Sequence, residues 1–438
     1  MSARLDSILV TLLLFSQVLI PTAYGVEDSI VPDCDFIIKL TSPEPKYQGN
    51  FGASSVIINN TIVIGEPAQH SDTSNIGTVW FFDLNGNVTG YLKSPFKANA
   101  SSFGFSMTVS EDYLIIGEPW LSVDGLKSAG MVHFYTHNGD YVKSTSSTEP
   151  MEQGNYGFSL SCNDDLIVVG EPGPLIYDEN ITSRVLAYDN SGSYLYTIQQ
   201  SDARTGSFGM SLAVNNDTII VGEPYFSESI PSWQGIIYMY TLNGSLIRNI
   251  TSPFHMTSNR PRNFGFRVSA SDNIFSVGEV RGNVEEHEFA GRAYIYNRNG
   301  MLLANLTSLQ SPPGIHYGYT LVHNDLVLVE DYVRIENFTN RLGAVIYDKF
   351  GGIRAVVSSR DYEWVRGFPI AFTDELVVLG HRLGGSRDIM YAGNVFVCAV
   401  PDGLWEVETG PEDTGVNDFI LFTLIGAMLY WIIGKKDR

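Results

Sequence analysis

The sequence is short of cysteine, of charge and of any helical period. Three cysteines in 438 residues, Cys34, Cys162 and Cys398, exclude a disulfide framework, because at most one bridge can form. Charged residues make up 17%, and 27 Lys and Arg stand against 48 Asp and Glu, giving a formal net charge of −21. Such a surface repels phosphate backbones and excludes nucleic acid as a partner, while basic ligands and cations would be drawn to it. Apolar residues reach 44%, enough for a substantial core and too many for a disordered chain. No Gly-x-Gly-x-x-Gly opens a helix, and no His-Glu-x-x-His or Gly-x-Ser-x-Gly occurs. No catalytic constellation and no cofactor follow from these residues, so the chain reads as a non-enzyme.

What is present is repetition. An aromatic-Gly pair recurs at intervals of about fifty residues. The copies are Phe51-Gly52, Phe103-Gly104, Tyr156-Gly157, Phe208-Gly209, Phe264-Gly265 and Tyr317-Gly318, with a degraded Gly367-Phe368. A short alternating run and a tight polar turn follow each pair. An apolar run then ends in Gly-Glu-Pro: Gly65-Glu66-Pro67, Gly117-Glu118-Pro119, Gly170-Glu171-Pro172 and Gly222-Glu223-Pro224. It persists as Gly278-Glu279-Val280 and decays to Val329-Glu330-Asp331 and Gly380-His381-Arg382. After a variable segment comes a third strand, such as Gly235–Tyr240. A hairpin turn at Asn85-Gly86, Asn138-Gly139, Ser191-Gly192, Asn243-Gly244 or Asn299-Gly300 then leads into a fourth strand ending in Ser-Pro. The Asn-Gly pairs predict type I′ turns, in which both central residues take positive φ. Four short strands per unit, repeated seven times, predict an all-β, seven-bladed β-propeller; a β-solenoid is the alternative fold. Tyrosines such as Tyr238, Tyr240, Tyr294 and Tyr296 alternate along strands and read as packing.

Ring closure has its own trace. Phe36–Pro43 matches the fourth strand of the repeat, so the N-terminal strand is expected to complete blade seven and remove an open edge. Leu404–Thr409 competes for that place. Closure by the N-terminal strand puts Cys34 and Cys398 in one blade as a candidate disulfide, although not directly opposite, and leaves Cys162 free.

The ends carry export and anchoring signals. Residues 1–25 read as a signal peptide: one Arg, an apolar stretch Ile8–Ile20, and small residues Ala23 and Gly25 at the cut. Residues 403–418 read as a juxtamembrane linker, 419–434 as one transmembrane helix and 435–438 as a basic tail. This predicts a single-pass, type I membrane protein with the propeller extracellular or luminal. Lys435-Lys436 resembles a dilysine signal for endoplasmic-reticulum retention in eukaryotes. Nine sequons are glycosylation candidates: Asn59, Asn87, Asn99, Asn180, Asn216, Asn243, Asn249, Asn305 and Asn337.

Together the aromatic-Gly pairs and the Gly-Glu-Pro endings over residues 34–402 resemble the FG-GAP repeat family, which includes the integrin α-subunit propeller. In that family Gly-Ala-Pro closes the second strand; here Glu replaces Ala in five repeats. The resemblance implies a propeller and, in many members, Ca²⁺ bound by Asp-x-Asp-x-Asp-Gly turns between the first two strands. The turns here, such as Asn215-Asn216-Asp217 and Ser271-Asp272-Asn273, lack three spaced carboxylates, so no such calcium site is expected.

Two candidate features remain. Glu66, Glu118, Glu171, Glu223 and Glu279 share one register, and would form either a ring for a cation or basic ligand or a repeated cap on backbone N–H groups of the adjoining loop. Glu285-Glu286-His287-Glu288 has metal-ligand residue types but no ligand spacing, and reads as a solvated loop. The second–third and fourth–first connections are long and variable and fall on one face, which predicts the binding face. The expected function is a binding or adhesion protein recognising a protein or glycan through that face. The alternatives are a propeller hydrolase or lyase with a site in the central funnel, and a structural surface-coat glycoprotein.

Overall fold

The computed structural model describes residues 33–401 and Leu404, except 69–75, 97–100, 175–182, 200–206, 227–232, 255–261, 283–289, 309–316, 334–340, 359–367 and 382–391. The signal peptide, the run 419–434, the tail, and the sequons Asn99, Asn180 and Asn337 lie outside the described residues, as does Glu285–Glu288. So do residues 405–409 of the alternative closing strand.

Twenty-eight strands, numbered in chain order from β1 (Asp33–Thr41) to β28 (Asn394–Ala399), form a seven-bladed β-propeller with four strands to a blade. Blade four shows the pattern. Strands β14 (Ser211–Val214), β15 (Thr218–Glu223), β16 (Ile236–Thr241) and β17 (Leu246–Thr251) pair in sequence order, all antiparallel. The second strands are mainly apolar up to their closing Gly-Glu and buried on both faces, because each sheet is sandwiched between two others. The core therefore lies between blades. Val168, Val185 and Ile198 of blade three pack with Phe208, Ile219 and Tyr238 of blade four in one cluster. The first aromatic of each intact pair, Phe51, Phe103, Tyr156, Phe208, Phe264 and Tyr317, is fully buried in such a seam.

Closure occurs through β1. Its residues Phe36–Thr41 pair antiparallel with β28, completing blade seven after β26 (Phe368–Phe372) and β27 (Leu376–His381). Asp33–Asp35 pair in parallel with β25 (Ile353–Ser358), the outer strand of blade six, so β1 joins the two sheets. Phe36 stands opposite Cys398, which is disulfide-bonded. Cys162 is free, and the side chain of Cys34 lies outside the described residues.

The outer hairpins differ from the expected type I′. Gly86, Gly139, Gly192, Gly244 and Gly300 take positive φ, but the residues before them do not. Each hairpin also shows a register shift, as between Phe81 and Phe82 or Met239 and Tyr240. These are type I turns closed by a bulge at the glycine. The reason is the residue that starts the turn. Asp83 Oδ1 accepts from the N–H of Asn85 at 2.9 Å and of Asn87 at 2.8 Å, a local bond that favours right-handed φ at the centre. Asp189, Asn297 and Asp348 do the same in their blades.

Candidate binding site

The start of each first strand, the end of each second, the start of each third and the end of each fourth meet on one face of the ring. The long connections are therefore all there. On that face the repeated glutamates end the second strands, but they do not form an open ring. Glu66, Glu118, Glu171, Glu223 and Glu279 are at most 3% exposed and sit in the seams between blades.

Glu66, Glu118, Glu171 and Glu279 each bond two neighbouring side chains. Glu118 Oε2 accepts from Ser94 Oγ, the end of the preceding blade, at 2.8 Å and bonds His133 Nε2 of its own third strand at 2.7 Å. Glu66 takes Ser42 at 2.8 Å and the Trp80 indole at 2.6 Å. Glu171 takes Ser147 at 2.9 Å and the Arg184 guanidinium at 3.0 Å, and Glu279 takes Ser252 at 2.7 Å and the Tyr294 hydroxyl at 2.5 Å. Glu223 accepts from the Tyr238 hydroxyl at 3.1 Å. The partners among the described residues are side chains, from the end of the preceding blade and from the third strand of the same blade. Tyr238 and Tyr294, read from sequence as packing, supply polar ends to these latches. Burial raises the pKa of Glu66 and Glu279, and pushes Glu171 up to about 7 against the pull of Arg184.

The decayed copy hides a sixth latch. In β23 (Leu326–Val333) Val327 pairs with Tyr347 as Ile219 pairs with Tyr240, which puts Glu330 in the glycine position and Asp331 in the glutamate position. Asp331 is fully buried and accepts from Ser308 Oγ. Aligning Glu330 with the glutamates is thus off by one residue. The signal that finds these latches is a constant spacing: Ser42, Ser94 and Ser147 each precede their glutamate by 24 residues.

The glycine of Gly-Glu-Pro has a separate cause. A Cβ on Gly117 would stand 2.2 Å from the carbonyl oxygen of Gly157 in the next blade, and Gly170 and Gly222 are as tightly faced. The same carbonyls accept from a serine two residues after the aromatic-Gly pair. Ser54 bonds Gly104 O at 2.7 Å, Ser106 bonds Gly157 O at 2.7 Å, Ser159 bonds Gly209 O at 2.5 Å, and Ser211 bonds Gly265 O at 2.8 Å. On the opposite, short-turn face Asn163 Nδ2 donates to Asn215 O at 2.8 Å and Asn215 Nδ2 to Ser271 O at 2.9 Å. Turn residues there tie blade three to four and blade four to five as well as shaping the turn.

Down the axis, the first strands line a central channel of 480 Å³. At the long-loop end its rim is formed by the residue following each intact aromatic-Gly pair: Ala53, Phe105, Phe158, Met210, Phe266 and Tyr319, all half-exposed. Phe105 lies 4.7 Å from Trp120 and 4.9 Å from Phe158, ring centre to ring centre. Across the channel Phe266 lies 5.6 Å from Tyr319, and the Arg267 guanidinium carbon sits 5.4 Å from the Tyr319 centroid. These rim residues carry no sequence signal of their own beyond their place in the repeat, and the sequence reading missed them.

Of the sequons, Asn59, Asn87, Asn216, Asn243 and Asn249 are exposed. Asn305 is not a usable acceptor in the folded protein. It is 3% exposed within β21 (Leu302–Leu306), against the Arg292 guanidinium at 3.5 Å. Among the described residues no group of three or more His, Cys, Asp or Glu is placed to hold a metal ion.

No protein-family model matches the sequence. Among solved structures, the chain is similar to the β-propeller domain of the Trilobed protease from Pyrococcus furiosus, described as having an open velcro topology. The identity is 12% and the TM-score 0.45, over 77% of this chain and 91% of that one.

Proposed function

We propose that the chain is a membrane-anchored binding or adhesion protein of the FG-GAP type, extracellular or luminal, that recognises a protein or glycan through the long-loop face of its propeller. The observation that carries this reading is the rim of half-exposed aromatic side chains, Phe105, Trp120, Phe158, Phe266 and Tyr319, around the channel mouth on that face. Aromatic residues clustered at a concave mouth are the usual anchors of recognition.

The test is a screen of the full-length protein in detergent micelles against arrays of glycans and of secreted-protein ectodomains. Binders should be lost by the double variant Trp120→Ala/Phe158→Ala and kept by Glu111→Ala on the short-turn face; the reverse pattern sinks the reading. Lys435→Ser with Lys436→Ser, followed by imaging of the tagged protein, tests the retention signal: unchanged location refutes it.

A further inference from the structure

We propose that blade two carries a Ser–His–Glu site that cleaves uncharged carboxylic esters, with Ser144 as nucleophile and His133 as base. It stands apart from the long-loop face and does not depend on that face binding a partner. The three residues come from adjacent strands, β7 (Leu114–Glu118), β8 (Met131–Tyr135) and β9 (Tyr141–Thr145), and no sequence motif links them. His133 Nδ1 lies 2.8 Å from Ser144 Oγ, and Nε2 lies 2.7 Å from Glu118 Oε2. A nucleophile within reach of a base that a third group orients is the arrangement an activated hydroxyl needs. It is not the ordinary device of the repeat. The same register elsewhere holds Trp80 opposite Tyr91, Tyr238 opposite Asn249 and Tyr294 opposite Asn305, none of which sets a base beside a nucleophile.

Burial fixes the direction of the proton. Glu118 and His133 are fully buried, and a carboxylate only accepts, so Nε2 carries the hydrogen and Nδ1 turns its lone pair to Ser144. Ser144 therefore donates to His133, and the Tyr141 hydroxyl, 2.9 Å away, donates to Ser144 Oγ. The carboxylate beside the ring favours the imidazolium that forms when Ser144 gives up its proton. The backbone adds a further donor. Thr136 N–H bonds Asp140 O across the hairpin, and such bonds fall on alternate residues along β8. His133 and Ser144 are thus a non-bonded pair, the kind whose side chains stand closest, and Ser144 turns its N–H outward. Among the described residues β9 is the last strand of its sheet, so that N–H meets a carbonyl oxygen approaching along the open edge. Phe96, 41% exposed with its ring 5.9 Å from that of His133, and the exposed Tyr141 ring offer flat apolar walls for the acyl and alcohol groups. A net charge of −21 disfavours anionic esters.

In the reaction Ser144 Oγ adds to the ester carbonyl carbon as its proton passes to Nδ1. The tetrahedral intermediate expels the alcohol, which takes that proton, and the acyl group stays on Ser144. Water then attacks the acyl carbon and gives a proton to Nδ1. That proton returns to Oγ as the free acid leaves.

The experiment treats the full-length protein in micelles with a biotinylated fluorophosphonate and, separately, with p-nitrophenyl acetate. Peptide mass mapping should place the label on Ser144. Ser144→Ala, with an unchanged melting curve, should lose the label and slow nitrophenol release about a hundredfold, and His133→Gln should slow both to a similar extent. Glu118 acts by positioning His133, so Glu118→Gln should lower kcat with KM unchanged. No label on Ser144, or equal ester hydrolysis by the native protein and Ser144→Ala, overturns the proposal. So does full-rate labelling of a folded His133→Gln. A Ser144→Ala protein that melts lower yet hydrolyses the ester as before shows the bonds to be structural only. The Ser144 comparison decides the matter even where the buried His133 variant does not fold.

Discussion

A carboxylate buried in a seam is costly, and Glu118 offsets that cost through one oxygen while its Oε1 is buried without a hydrogen-bond partner. Its Oε2 has a serine from one blade and an imidazole from its own. Ser94→Ala removes one donor and leaves a buried acceptor short, and should lower stability by about 1–2 kcal/mol, read as a shifted denaturant midpoint. Glu118→Ala also leaves His133 Nε2 without its partner, Nδ1 keeping Ser144, and should cost about 3–5 kcal/mol.

The Glu171 carboxyl titrates in a measurable window. Its folded pKa, near 7, lies above the ordinary value of 4.5. Between these values the folded state holds a proton that the unfolded state has released. Stability should therefore be fully present below about pH 4.5 and fall as pH rises towards 7. Glu66 and Glu279, shifted in the same direction, add to the slope. Melting temperatures from pH 4.5 to 8 should decline for the native protein, and less steeply for Glu171→Gln. An identical slope in the two would show that this group is not responsible.

At the scale of the element, the repeat was legible because each strand leaves a local mark: alternation, an aromatic-Gly opening, a Gly-Glu-Pro ending. The closing strand was legible for the same reason, since Phe36–Thr41 copies the fourth strand of other blades. The turn type was not, because Asn-Gly fits two geometries and Asp83, two residues before Asn85, decides between them. The function of the glutamates was not, because their serine partners lie a half-repeat earlier on a different blade. Asp331 was obscured by a register slip in a decayed copy, and the rim aromatics by their likeness to ordinary core residues.

The glycine of Gly-Glu-Pro supplies a test at this scale. Gly117→Ala pushes a methyl group into the Gly157 carbonyl of the adjoining blade and should cost about 2–4 kcal/mol. Gly90→Ala, on the outer strand Val88–Lys93 with nothing within 4 Å of the new carbon, should leave the melting temperature within about a degree or raise it. If both variants melt alike, close packing between blades is not what requires the glycine.

Across the whole molecule, Cys398 is disulfide-bonded on β28, which pairs with the strand that joins blades six and seven. Cys398→Ser should lower stability by about 2–5 kcal/mol and open the N-terminal strand to protease, with the first cleavage near residues 33–42 in a timed digest. If the protein is exported through a glycosylating compartment, peptide mass mapping should find sugar at Asn59, Asn87, Asn216, Asn243 or Asn249 and none at Asn305. A sugar on Asn305 of the folded protein would show that β21 is not seated in its blade as described.

The pairing of β1 with β28 also sets a timetable. Among the residues of the ring, those that seal it are made first and their partner is made last, more than three hundred residues later. Throughout synthesis the Phe36–Thr41 segment has no ladder to join, so a ribosome that stalls anywhere before residue 394 releases a chain with two unsatisfied edges. A complete ring thus certifies that synthesis has passed β28, and a loose Phe36–Thr41 strand marks a chain that stopped before it.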